Sequence, residues 1–163
     1  MALLGCVAVF GIASSAAATV PHARPVAIVR VDAVAHPATA AAVAKFLLHA
    51  GIAYYVFDHY IYKPWKAGDL HGFTHAFTIA KAALAALFVY HEVKEMAGDV
   101  KDSKLLSFLT APIAAVITKL NALKAAITGG NLSAIGNVQS GLGAIESQAG
   151  AKGVVIKQIV HAI

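Results

Sequence analysis

Cysteine is almost absent from this chain of 163 residues, since Cys6 is the only one. Cys6 lies in an N-terminal apolar segment that has the features of a cleaved export signal. A mature chain without cysteine excludes disulfide bonds, thiol catalysis and metal sites built on thiolates. Such an exported domain must be held together by packing or by assembly with other chains.

Charged residues are also scarce, at 13%, against about 25% in an average soluble protein. The formal net charge is +5, and the basic residues are scattered along the chain without forming a run. Because nucleic-acid binding requires a clustered basic surface, we expect no nucleic-acid partner. A mildly basic exported chain is better suited to an anionic membrane surface or a cell-wall polymer.

Catalytic and nucleotide-binding motifs are missing as well. The chain has no glycine-rich dinucleotide loop, no P-loop and no nucleophile elbow. The segment HEVKE departs from the zinc-protease motif at its last position, where Glu95 stands in place of the second histidine ligand. We therefore expect a protein that is not an enzyme and that has no organic cofactor.

The N-terminal 18 residues, MALLGCVAVFGIASSAAA, predict a signal peptide. An apolar run from Ala2 to Ile12 precedes small residues that suit a cleavage site. No Lys or Arg precedes Arg24, so an uncleaved anchor is the alternative. Residues 19–35 are predicted to form an extended N-terminal arm. This organisation predicts a secreted or cell-envelope protein.

Residues 36–163 predict a helical domain, because alanine-rich sequence with few prolines favours helix. The predicted helices are A (His36 to Lys63, stopped by Pro64), B (Asp69 to Ala97), C (Lys104 to Thr128, interrupted at Pro112) and D (capped by Asn131). The turn between A and B is short, so these helices should be antiparallel. The predicted fold class is a small all-α bundle built on a long helix hairpin.

Two apolar stripes and two groups of small residues predict how the helices pack. The stripe of helix B consists of Phe73, Phe77, Ala80, Leu84, Leu87 and His91, and that of helix D consists of Leu132, Ile135, Val138, Leu142 and Ile145. Both are expected to face the core. The small-residue groups are Ala82–Ala83–Ala86 and Gly136–Gly141–Gly143. They allow close approach of helices and predict a dimer or higher oligomer.

The segment from Ala53 to His75 holds four of the five tyrosines, the single tryptophan and three histidines. With a turn centred near Lys66, His59 would be level with His75, while His71 and His75 share a face of helix B. His49 would lie level with Leu84 and have no partner. Neutral imidazole suits divalent transition metals. The candidate metal ligands are His59, His71, His75 and Asp58.

The same segment predicts an interaction tip at the hairpin turn. Helix geometry cannot place all of its rings on one face, so Tyr55 and His59 are expected to face helix B. The predicted tip consists of Tyr60, Tyr62, Trp65, Lys63 and Lys66. Amphipathic rings beside cations are typical of membrane interfaces and protein-binding hot spots. Both helices are long enough to cross a bilayer, although Asp58 and Lys81 lie within them.

The sequence supports three hypotheses about function. The first is a non-enzymatic exported interaction or structural protein of the cell envelope or extracellular space, which self-associates. The second is a metal-binding protein that uses the histidine cluster. The third is a membrane-active or membrane-inserted helical protein.

Overall fold

A computed structural model describes residues 37–129 and 131–159. The predicted signal peptide (residues 1–18) and the predicted extended arm (residues 19–35) lie outside the described residues. The α-helices are α1 (Pro37–Phe57), α2 (Lys63–Ala67), α3 (Ala76–Lys101), α4 (Thr110–Gly129) and α5 (Ser133–Ala151). A π-helix spans Asp58–Tyr62, and 3-10 helices span Phe73–His75 and Lys104–Leu109. No described residue is in a strand, which confirms the all-α fold class.

Helix α1, the π-helix and α2 form one composite helix from Ala38 to Ala67. The prediction that Pro64 ends this helix is wrong. Proline has no backbone N–H and crowds the carbonyl four residues earlier, which disrupts a regular α-helix. Here Pro64 directly follows the π-helix, where the Lys63 N–H bonds to the Asp58 carbonyl five residues back. This wider turn accommodates the proline ring, and the helix ends only at Gly68, which has a φ of 84°.

The connection to α3 is longer than predicted. Gly68 and Gly72 both have positive φ, at 84° and 78°, which a continuing right-handed helix cannot contain. Helix α3 therefore begins at Ala76 and not at Asp69. The register between α1 and α3 shifts as a consequence. His49 Nδ1 lies 2.8 Å from the Glu92 carboxylate, so the prediction that this histidine has no partner is wrong, and its partner lies eight positions beyond Leu84.

The composite helix, α3, α4 and α5 pack against each other as a closed bundle. The main contacts join α1 with α3, α3 with α4, and α4 with α5. Helix α5 returns to the composite helix, where the Tyr54 hydroxyl donates a hydrogen bond to the Leu142 carbonyl. Trp65 also lies against Gly136. Helices α3 and α5 consequently occupy opposite corners of the bundle.

The C-terminal half of the bundle agrees closely with the sequence pattern. The predicted helix D stripe is buried, at Leu132, Ile135, Val138, Leu142 and Ile145. The Asn131 side chain accepts a hydrogen bond from the Ser133 N–H at 3.3 Å, but Asn131 lies one position before the N-cap, which is Leu132 and has no side-chain cap. Pro112 does not interrupt a helix. It lies in the first turn of α4, where its missing N–H has no helical partner to lose.

Small residues promote close helix packing inside the chain. Ala82 and Ala86 are fully buried on α3. A Cβ atom on Gly141 would lie only 2.8 Å from Val116 Cγ2 on α4. These positions therefore serve contacts within the bundle and are not free for another chain. The small-residue groups therefore do not support self-association, which stays a prediction.

Candidate functional site

The four predicted metal ligands are not gathered into one group. His59 is exposed, its ring stacks on Tyr55 with centroids 5.5 Å apart, and the Asp58 carboxylate pairs with Lys63 at 2.7 Å. The other two histidines, His71 and His75, lie beyond the turn. Among residues 37–129 and 131–159, no three His, Cys, Asp or Glu side chains could hold a metal ion. The helix continues for a turn past the predicted stop, which separates the two sets of histidines.

The rings of the predicted interaction tip are half-buried against the core, at Tyr60, Tyr62 and Trp65. The rings of Tyr62 and Trp65 are 5.8 Å apart. The expected exposure of these rings is therefore wrong, as is the expectation that His59 faces the next helix. The π-helix inserts one extra residue, which rotates the side chains after it by about 100° around the helix axis. Lys63 and Lys66 remain exposed.

The stripe predicted to face the core from α3 instead faces outward. Phe77 is 73% exposed, Leu84 68%, Leu87 50% and the neighbouring Phe88 42%. The buried face of α3 is made of smaller or more flexible side chains, at Ala82, Ala85, Ala86, Val89, Val93 and Met96. Helix α3 has apolar residues on both faces. The face with smaller side chains is buried, because it lets α3 approach α1 and α4 more closely than the face with Phe77, Leu84 and Leu87 would. We call Phe77, Lys81, Leu84, Leu87 and Phe88 the α3 outer face.

The surfaces beside the α3 outer face are also weakly polar, whereas the opposite corner of the bundle is polar. The exposed residues of α4 are uncharged and mostly small: Thr110, Ala111, Ala114, Ala115, Thr118, Asn121, Ala122, Ala125 and Gly129. On α1, Leu48 is exposed. Helix α5 exposes Ser133, Asn137, Ser140, Glu146, Ser147 and Gln148. The bundle is therefore amphipathic as a whole, with its apolar side centred on α3.

Three helical stretches are long and apolar enough to cross a membrane, judged by length and composition. They are Ala38–Ala67, Ala76–Lys101 and Lys104–Ile127. In their most apolar windows, only 44%, 33% and 28% of the residues are buried inside the protein. More than half of the residues in each of these windows are therefore exposed or half-buried.

Lysine ammonium groups lie over aromatic rings at the edge of this apolar side. Lys81 Nζ is 4.4 Å from the centroid of the Phe77 ring. Lys94 and Lys124 lie 5.7 Å and 4.3 Å from the centroid of the Tyr90 ring. Lys81 is the only charged residue between Ala76 and His91. Such lysines cover apolar surface with their stems while the charge reaches toward water or an anion.

A second group of polar residues is buried between α1 and α3, and the sequence pattern did not predict it. Glu92, which pairs with His49, and Asp99 are buried two turns apart on the inner face of α3. Burial raises the pKa of the Asp99 carboxyl, and the charges of His49 and Lys45 partly oppose that change. The sequence did carry a signal for this buried group. Glu92 and Asp99 are seven residues apart, which places both on the same helix face as the buried Val89 and Met96.

The chemistry of these two places differs. The α3 outer face offers apolar area and ammonium groups, which suit contact with a lipid or a protein. The buried group offers carboxyls and an imidazole, which exchange protons. Comparison with protein families, with curated proteins and with solved structures gives no significant match to this chain.

Proposed function

We propose that this protein is a non-enzymatic helical bundle of the cell envelope that attaches to a lipid membrane surface through the α3 outer face. The observation that carries the proposal is the contiguous exposure of Phe77, Leu84, Leu87 and Phe88 on one side of one helix. Exposed apolar area is unfavourable in water by about 25 cal/mol per Å². Contact with acyl chains removes that area from water.

The charge of the α3 outer face favours lipid over a second copy of the chain. No acidic residue occurs between Ala76 and His91, where Lys81 is the only charge. A two-fold dimer places the same patch of both chains together, so each Lys81 would approach a surface of like charge. Anionic headgroups complement these ammonium groups, as in amphipathic helices that lie at a membrane interface.

The polar outer side of α5 favours attachment at the surface over full insertion. A bundle wholly inside a bilayer would turn Asn137, Glu146 and Gln148 toward hydrocarbon, where polar groups are strongly unfavourable. Helix α5 is at the corner opposite α3. The apolar residues of α3 can therefore lie in the membrane interface while the polar residues of α5 stay in water. The predicted signal peptide supports placement in the envelope.

Vesicle flotation tests the proposal. Purified protein should float with vesicles of phosphatidylcholine mixed with phosphatidylglycerol, and less with phosphatidylcholine alone, because the headgroup charge contributes to binding. The double variant Leu84→Glu, Leu87→Glu should lose flotation, since it places two anions on the α3 outer face. The matched control, Ser140→Glu with Ser147→Glu, adds the same charge to α5 and should float normally.

Three other results would contradict attachment to the membrane surface through the α3 outer face. Equal flotation of both double variants would remove the α3 outer face from the interaction. A dimer in sedimentation that is lost only with Leu84→Glu, Leu87→Glu would identify a second copy as the occupant. Retention in the membrane after carbonate extraction would indicate insertion of the helices.

A further inference from the structure

Asp99 lies buried near the C-terminal end of α3 with an incomplete set of hydrogen bonds. Its side chain is 9% exposed, and Ser103 one turn later is 1% exposed. Among the described residues, neither Asp99 Oδ2 nor Ser103 Oγ has a hydrogen-bond partner. A buried carboxylate oxygen without a donor is unfavourable because it has lost water without replacement. Native proteins keep few such groups, and each of them needs a physical explanation.

Charged groups approach Asp99 from two sides of the α1–α3 interface. Lys45 and His49 act from α1, while Glu95 and Asp102 act from its own stretch of chain. The cations favour the carboxylate form and the two acidic residues oppose it, so these charges offset each other. Desolvation is the largest effect on Asp99, and it favours the neutral acid.

We infer that Asp99 is a buried proton-binding site at the α1–α3 interface, which takes up a proton from water at mildly acidic pH when the bundle forms. Protonation removes the buried charge and turns one carboxyl oxygen into a donor, which the carboxylate lacks. No bond other than O–H forms, and the proton returns to water when the bundle opens. The site makes the α1–α3 contact sensitive to pH.

The direction of this pH dependence is set by the raised pKa of Asp99. Between the ordinary aspartate pKa, about 3.9, and the higher pKa in the bundle, the folded chain holds one proton more than the unfolded chain. The folding equilibrium constant therefore falls as pH rises through that window, by up to about tenfold per pH unit. Below the window, the stabilisation by the proton is fully present.

Two measurements test the inference. In the unmodified protein, a carbon-13 NMR titration of the Asp99 carboxyl should show a midpoint clearly above the ordinary aspartate pKa of about 3.9. Lys45→Met should move the Asp99 midpoint higher, because it removes a cation that favours the carboxylate. Urea unfolding between about pH 4 and pH 8 should show that Asp99→Asn loses the fall in the folding constant.

The control variant is Glu146→Gln, which neutralises an exposed acidic residue of α5 that is not among the charges acting on Asp99 and should keep the pH dependence of the unmodified protein. An Asp99 carboxyl that titrates at the ordinary aspartate pKa of about 3.9 would overturn the inference. So would an Asp99→Asn variant whose folding constant still falls with rising pH as in the unmodified protein. The NMR titration needs no substitution, so it decides the matter even if Asp99→Asn fails to fold.

Discussion

Gly141 and Gly143 lie two positions apart on α5 and have opposite environments. A Cβ atom on Gly141 would be 2.8 Å from Val116 Cγ2, whereas Gly143 has no such neighbour within 4 Å among the described residues. Glycine in the interior of a helix is less favourable than alanine by roughly 1 kcal/mol. At Gly141 the lower helix propensity of glycine is offset, because the missing side chain lets α5 pack closely on α4. At Gly143 no such contact offsets it.

Alanine substitution at these two positions should therefore change stability in opposite directions. Gly143→Ala should raise the free energy of unfolding by about 0.5–1 kcal/mol through helix propensity. Gly141→Ala gains the same propensity but overpacks against Val116, which costs about 1–3 kcal/mol, so a net loss is expected. Urea unfolding of both variants is the measurement. Equal changes of the same sign would mean that α5 does not pack on α4 as described.

Trp65 illustrates how a residue expected at the surface becomes part of the packing. Its ring lies 5.8 Å from that of Tyr62, and Cη2 is 3.7 Å from the position of a Cβ on Gly136. These contacts join α2 to α5 and help to close the bundle. The ring is half-buried, so its removal loses part of the energy of a fully buried aromatic.

We expect Trp65→Ala to lower the free energy of unfolding by about 1–3 kcal/mol, less than for a fully buried tryptophan. Lys66→Ala, at the exposed neighbouring position, should stay within about 0.5 kcal/mol of the unmodified protein. Chemical denaturation monitored by circular dichroism measures both. Unchanged stability of Trp65→Ala, together with lost vesicle binding, would instead restore the exposed interaction tip predicted from sequence.

At the scale of elements, the segment after α5 lies along α1 and adds a contact between the two ends of the fold. The Ile159 N–H donates to the Gly51 carbonyl at 3.3 Å. A Cβ atom on Gly51 would lie 2.6 Å from the Lys157 carbonyl oxygen and 2.7 Å from Ile159 Cγ1. Glycine at this position is therefore what lets an extended segment approach the side of a helix.

Gly51→Ala should displace this C-terminal segment while leaving α1 helical. The expected sign is faster amide hydrogen exchange at Ile159, because its hydrogen bond to Gly51 is lost. Gly98→Ala is the matched control, since it also places an alanine within a helix but has no described neighbour within 4 Å. Unaltered exchange at Ile159 in Gly51→Ala would show that the segment docks elsewhere.

At the scale of the whole molecule, the bundle has an apolar corner at α3 and a polar corner at α5. This asymmetry is a property of the assembled helices, because the composite helix, α3 and the stretch Lys104–Ile127 are all apolar enough to cross a membrane when considered singly. Only the packing determines which apolar residues remain outside. A membrane-attached bundle should therefore present one fixed side to lipid.

Single-cysteine labelling can measure that orientation, because Cys6 is the only native cysteine. In a chain with Cys6→Ser, an environment-sensitive fluorophore on Leu84→Cys should shift to shorter wavelength when anionic vesicles are added. The same fluorophore on Ser140→Cys should remain unchanged, because α5 stays in water. A shift at both positions would indicate full insertion, and a shift at Ser140→Cys alone would reverse the proposed orientation.

The sequence by itself determined the helical class and much of the C-terminal half. Alanine-rich composition favours helix locally. Helix α5 has a single apolar face, so the sequence pattern predicts which of its residues are buried. The hydrogen bond of Asn131 at the start of α5 likewise depends on a neighbour two residues away. These features could be predicted because each is decided within one or two turns of chain.

Tertiary structure alone decided which face of α3 is buried, where the first hairpin turns and which polar residues meet. Helix α3 has apolar residues on both faces, so the choice depends on how closely α1 and α4 can approach Ala82 and Ala86. The π-helix before Pro64 changes the direction of every later side chain in the composite helix. The His49–Glu92 pair and the buried Asp99 arise from the longer connection through Gly68 and Gly72, which shifts the register between α1 and α3, because contacts between distant segments depend on the geometry of everything between them.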